Sequence, residues 1–155
     1  MTGAVRSPHL FLARPGNTPN PLDRAIEQRP PAPESAGYAV WLRNHDELDL
    51  ERLSEQERAQ VMRVFAPEAN MRVYGRGIRR RLALMLQGNV DHQALAVALL
   101  LSLPGTPILR YGDEIGMGDD LNLPERLSVR TPMQWTQGGN AGFSAINGEL
   151  AAPRR

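Results

Sequence analysis

The 155 residues carry 18 basic against 17 acidic side chains, for a formal charge of +1, and contain no cysteine. That balance argues against binding nucleic acid by bulk phosphate neutralisation, and it excludes a disulfide framework, a thiolate metal site and a cysteine nucleophile. With 41% hydrophobic and 23% charged residues, the composition is that of a globular domain rather than a disordered chain, and the length suits one domain better than two.

The N-terminal segment, residues 1–37, ends in a connector with a run of prolines from Pro19 to Pro33. Within it Leu22 and Ile26 are spaced for about two helical turns. The apolar run around Phe11 is too short for a signal peptide. The longest apolar stretch, Ala94–Leu101, falls far short of the roughly 20 residues that a membrane span needs. A cytoplasmic protein without a membrane partner is expected.

From Tyr38 to Arg43 the chain is apolar nearly throughout, which predicts a strand buried on both faces, in a parallel sheet or barrel. Ser54 with Glu57 fits a capping box, opening a helix that carries Val61, Met62 and Phe65 on one face and stops before Pro67. A second helix is expected from Arg76, with Ile78, Leu82, Met85 and Leu86 inward, up to the Gly88-Asn89 interruption. Asp91–Leu103 predicts a further helix ended by Pro104-Gly105, and Thr106–Tyr111 a second strand. Beyond Gly112 the glycines predict mostly loop, and residues 144–155 form a tail.

Strand, helical segment and strand make a βαβ unit, with chemistry expected at the C-terminal ends of the strands. Those ends are Arg43–Glu47 and Tyr111–Glu114, which should share one face. His45 with Asp46 could hydrogen-bond neighbouring sugar hydroxyls; the alternative is that both merely cap a loop. Asp113 and Glu114 are adjacent and point apart on extended backbone, which favours a role in fixing the loop. Two carboxylates are the usual equipment for glycoside cleavage, so Asp46 and Asp113 invite pairing as a catalytic dyad. No metal site is expected: His9, His45 and His92 have no ligand spacing, and Ile115 and Met117 occupy positions where a calcium loop needs oxygens. Gly75-Arg76-Gly77 lacks the rest of a phosphate loop. Arg76, Arg79, Arg80 and Arg81 read as a solvated or ion-paired helix face rather than a nucleic-acid patch.

Trp41-Leu42-Arg43-Asn44-His45-Asp46-Glu47-Leu48 resembles the end of the seventh barrel strand in the α-amylase superfamily (glycoside hydrolase family 13). Three further blocks agree in order and spacing: Tyr74–Leu82 with the following helix, Ser102–Asp119 with the eighth strand and its loop, and Arg130–Trp135 with Asn140–Ser144 beyond it. Together they are most similar to the trehalose synthases and their α-glucosidase-like relatives. The resemblance implies an α/β fold, a partial (β/α)8 TIM barrel with roughly the last two strands and their helices, over residues 38–143. It implies a retaining glucosyl enzyme acting on maltose, trehalose or short α-glucans, either as an isomerase or as a hydrolase, with no cofactor within this chain. A non-catalytic carbohydrate-binding remnant is the other reading.

By position, Asp46 would stabilise the transition state while gripping the ring hydroxyls, and His45 and Arg130 would bind the same glucose. Asn44 and Glu47 would complete the substrate-binding set; they and Arg43 would stand at the pocket rim or behind it. The family's nucleophile and acid/base lie on the fourth and fifth strands, which nothing here matches. The expectation is therefore a chain inactive alone, with exposed strand edges that favour aggregation, and Asp46 with Asp113 is not a dyad. Arg110 stands where many trehalose synthases have an aromatic residue.

Overall fold

The architecture is that of a computed structural model, which describes Pro8, Phe11 and residues 20–146. His9, most of the apolar run around Phe11 and the tail from residue 147 onward lie outside the described residues. The first helix, α1 (Asn20–Glu27), follows the spacing of Leu22 and Ile26, with Ala25 buried between them.

Two small sheets organise the described residues. Strand β1 (Ala39–Val40) runs parallel to β5 (Thr106–Pro107), with Ala39 opposite Thr106 and Val40 opposite Pro107. The pairing continues past the strand as the Ile108 N–H donates to the Val40 carbonyl at 2.8 Å. Gly105 makes the approach possible. It sits at φ +134°, and a Cβ there would lie 2.7 Å from the Tyr38 carbonyl oxygen. Both strands are shorter than the apolar runs that announce them. The expectation of burial on both faces holds for one face of β1, that of Val40 and Leu42, while Ala39 and Trp41 on the other face are half-buried; the residues of β5 are exposed.

The second sheet is antiparallel and has the order β2 (Leu48–Asp49), β4 (Gly77–Ile78), β3 (Arg72–Val73). It corrects the helix expected from Arg76. The inward residues Ile78, Leu82, Met85 and Leu86 do fit a helical period, but the chain is a strand at Gly77–Ile78 and extended through Arg81. Only then does it turn into the short helix α3 (Leu82–Met85). A hairpin explains the break: Tyr74 and Gly75 both take positive φ, 54° and 67°, and fold β4 back on β3.

Helix α2 (Glu55–Phe65) forms where expected. Ser54 accepts from the Glu57 N–H while the Glu57 carboxylate takes the Ser54 N–H at 2.9 Å, so two free amides of the first turn are satisfied reciprocally. It ends at Ala66 because the residue before Pro67 disfavours helical backbone. Its buried face, Val61, Met62 and Phe65, packs into the main core with Leu50, Leu53, Ile78 and Leu82. Each such burial contributes about 1.5–3 kcal/mol. Phe11 meets Phe65 edge to face, with ring centroids 5.2 Å apart.

Helix α4 (Val90–Ser102) is capped by the Asn89 side chain, which accepts from the His92 N–H. It ends before Pro104 by the same rule as α2. Only Leu100 is buried; Val90, Leu95 and Leu101 stand 75%, 68% and 59% exposed, far more than apolar helix residues of a closed core. Among the described residues, no helix is long and apolar enough to cross a membrane.

The arginines after β4 are the main surprise. Arg79, Arg80 and Arg81 are buried, which excludes the solvated alternative and leaves the ion-paired one, on extended backbone rather than on a helix. Arg79 donates to the carbonyls of Asn70, Leu121 and Leu123. Arg80 pairs with Asp119 at 2.9 Å, and Arg81 is wholly buried beside Asp113. These contacts fix the glycine-rich loop after β5 against the antiparallel sheet.

Candidate active site

Because β1 and β5 are parallel, the segments that leave them emerge at one end of the pair. The Asn44–Asp46 turn leaves β1. Asn44 Oδ1 accepts the Asp46 N–H at 3.0 Å, which closes the turn locally. The turn's three carbonyls are each taken by a different arginine. Arg110 Nη1 donates to Asn44 at 2.8 Å, Arg130 Nε to His45 at 2.8 Å, and Arg43 Nη2 to Asp46 at 2.9 Å.

Arg43 is buried and also donates to the Arg80 carbonyl at 3.0 Å. Burial, reinforced by repulsion from Arg110, lowers its pKa to about 10, which still leaves it charged at neutral pH. It lies behind the turn rather than in front of it.

The side chains of the turn face outward. Arg130 Nη2 pairs with Asp46 Oδ1, both groups little more than a third exposed. His45 is 70% exposed, and its Nε2 lies 3.9 Å from the other Asp46 oxygen, Oδ2. One carboxylate oxygen is thus anchored to a guanidinium, and the other is turned toward an exposed imidazole. A ring hydroxyl placed there could donate to Oδ2 and accept from His45. The structure brings His45, Asp46 and Arg130 together across 84 residues of sequence.

Glu47 is placed differently. Its side chain is 5% exposed and held by both oxygens, with Arg126 Nε at 2.7 Å and Nη2 at 3.1 Å. Any influence of Glu47 on a ligand would pass through Arg126, whose Nε also lies 3.6 Å from Asp46 Oδ1. The hydrogen bond to Glu47 raises the Arg126 pKa, and its guanidinium sits 5.3 Å from the Tyr74 ring centroid. Arg126 is absent from the sequence-based candidates. No local pattern signals it, since Glu125–Val129 is a 3-10 helix and Arg130 lies just beyond its end.

At the second strand end, Tyr111 donates its hydroxyl to the Thr131 carbonyl at 3.2 Å and so ties the two loops together. Asp113 and Glu114 differ in burial, but they lie in a 3-10 turn (Asp113–Ile115) and not on the extended backbone expected: Glu114 is exposed, while the Asp113 side chain is 7% exposed and lies 3.5 Å from Arg81 Nη2. Burial raises the Asp113 pKa against the pull of Arg81 and Arg110. Asp113 faces Arg81 rather than the open side of the Asp46 turn, which argues against its pairing with Asp46 as a dyad. Among the described residues, no three His, Cys, Asp or Glu gather as a metal site would require.

No family model matches the chain. It is 48% identical over 147 residues to trehalose synthase/amylase TreS of Mycolicibacterium smegmatis, covering 94% of this chain and 25% of that protein. It is 45% identical over 137 residues to a trehalose synthase of Thermus thermophilus, covering 88% of this chain and 14% of that one. A shorter stretch of 56 residues is 54% identical to an amino acid transporter heavy chain of Rattus norvegicus, covering 32% of this chain and 8% of that protein. The chain spans a quarter or less of the length of these relatives. Over nearly its whole length, this chain is homologous to one segment of the trehalose synthases.

Proposed function

We propose that these residues form one wall of a glucose-binding active site in an enzyme that interconverts maltose and trehalose. The observation that carries this reading is the Asp46–Arg130 pair with His45 beside it, at the C-terminal end of a parallel strand pair. A parallel β1–β5 pair linked through helices is the repeating unit of a (β/α)8 barrel, and such barrels carry their chemistry at that end. Residues 38–143 would be the part that contains the last two strands.

In the retaining mechanism implied by the α-amylase resemblance, a carboxylate elsewhere forms a glucosyl-enzyme intermediate and a second acts as acid and base. Asp46 would accept hydroxyl protons of the glucose ring through Oδ2. This bond strengthens as the ring flattens toward an oxocarbenium ion, so it favours the transition state over the ground state. Arg130, fixed to Oδ1, would keep the carboxylate from turning away, and His45 would take a neighbouring hydroxyl. Asn44 would act by shaping the turn and Glu47 by holding Arg126.

The 155 residues alone are expected to leave maltose and trehalose unchanged. Turnover above blank that disappears in Asp46→Ala would overturn this. One observation favours a further reading. The mycobacterial relative is called both synthase and amylase, and product analysis of the complete enzyme separates the two, since trehalose from maltose means isomerase and glucose alone means hydrolase.

A further inference from the structure

We propose that Arg110 is a positioning residue that clasps the two main-chain segments carrying Asp46 and Arg130, and so fixes the spacing of the pair. The inference rests on the sugar-gripping role proposed for that pair. Arg110 follows β5, lies 7% exposed, and sends one guanidinium nitrogen to each segment. Nη1 donates to the carbonyl of Asn44, two residues before Asp46, and Nη2 to the carbonyl of Val129, one residue before Arg130. The two acceptors are 85 residues apart in sequence, and Arg110 is the group that bonds to both.

A buried guanidinium normally seeks a carboxylate. Arg110 spends its two terminal nitrogens on neutral carbonyls instead, and its Nε has no partner. Burial, with repulsion from Arg81, lowers its pKa to about 10. That cost is consistent with a residue kept for the geometry it imposes. The planar fork matters, because an ammonium is a point donor on a flexible stem and does not hold two carbonyls at a set separation. Arg43 grips the turn at the Asp46 carbonyl and the β4 end at Arg80. It does not reach the Arg130 segment, so the two arginines have separable roles.

The test uses Arg110→Lys in the 155-residue chain, with side-chain nitrogen NMR on two arginines. Arg130 Nε–H donates to the His45 carbonyl and reports the clasped geometry. Arg126 Nε–H donates to Glu47 and serves as the internal control. The expected result is at least tenfold faster hydrogen exchange at Arg130 Nε–H, with Arg126 Nε–H and the urea midpoint little changed; tenfold corresponds to losing roughly one hydrogen bond. Unchanged exchange at Arg130 overturns the proposal. Faster exchange at both sites with a fallen midpoint also overturns it, because the role is then general stability. In parallel, maltose affinity is expected to weaken about tenfold in the variant, as loss of one charge-assisted contact would give. Maltose that fails to bind the unmodified chain would count against the sugar-binding reading, while the Arg130 exchange would still decide the clasp.

Discussion

Replacing Arg81 by Met removes a fully buried cation beside Asp113. Arg81 is 0% exposed; its Nη2 donates to the Tyr111 carbonyl at 2.6 Å and lies 3.5 Å from Asp113 Oδ1. Met fills much of the volume, so the loss is chiefly electrostatic. Taking one partner from a buried ion pair costs about 3–5 kcal/mol, because the other charge is left desolvated. The pH dependence identifies the cause. Burial already raises the Asp113 pKa above its unfolded value. A carboxylate shifted upward stabilises the fold below its unfolded pKa, and that contribution is lost as pH rises through the folded value. Without Arg81 the folded pKa climbs further. The deficit of Arg81→Met relative to the unmodified chain should therefore be full at neutral pH and narrow on acidification. Below the raised pKa it should close by about 1.4 kcal/mol per pH unit. Urea unfolding across pH 5–8, with Arg81→Met/Asp113→Asn as the companion, measures this, and the double variant should recover most of the loss at neutral pH. A deficit that stays flat across pH, or a double variant no better than the single one, would refute the reasoning.

Gly112→Ala should destabilise by about 2 kcal/mol or more, since φ is +89° and the new Cβ would lie 2.7 Å from both Arg81 Nη2 and Met117 Sδ; an unchanged urea midpoint would contradict it. Ser54→Ala should cost about 1 kcal/mol through the lost capping box, read as a lower melting temperature. Leu95→Glu, at a residue 68% exposed on α4, should leave stability within about 0.5 kcal/mol and reduce self-association in sedimentation velocity. Aggregation as strong as in the unmodified chain would show that the exposed α4 face is not responsible.

What was legible in the sequence is what local chemistry dictates. The Ser54–Glu57 box and Pro67 bound α2, and Asn89 and Pro104 bound α4, because each signal acts within one turn of the element it ends. The antiparallel sheet was not legible. Ile78, Leu82, Met85 and Leu86 satisfy a helical period equally well, and the hairpin that overrides it needs Tyr74 in a backbone region few side chains adopt. The arginines after β4 misled for a different reason. Four in a short run read as a solvated or ion-paired helix face, whereas most of the carbonyls and carboxylates that bury three of them lie 30–46 residues further along. In the candidate site, His45 and Asp46 stood out from their place at a strand end, and Arg130 through the resemblance. Arg126 did not, because its meaning depends on Glu47, 79 residues away. For Glu47 the sequence leaves open whether it stands at the pocket rim or behind it; the structure buries it under Arg126.

The central claim is that the Asn44–Asp46 turn and Arg130 hold a glucose unit. Titrating the isotope-labelled chain with maltose and following backbone amides tests it most directly. The account predicts saturable shifts centred on His45, Asp46 and Arg130 that vanish in Asp46→Asn while α2 and α4 signals stay in place. Shifts that survive Asp46→Asn, or no shifts at saturating maltose, would contradict it.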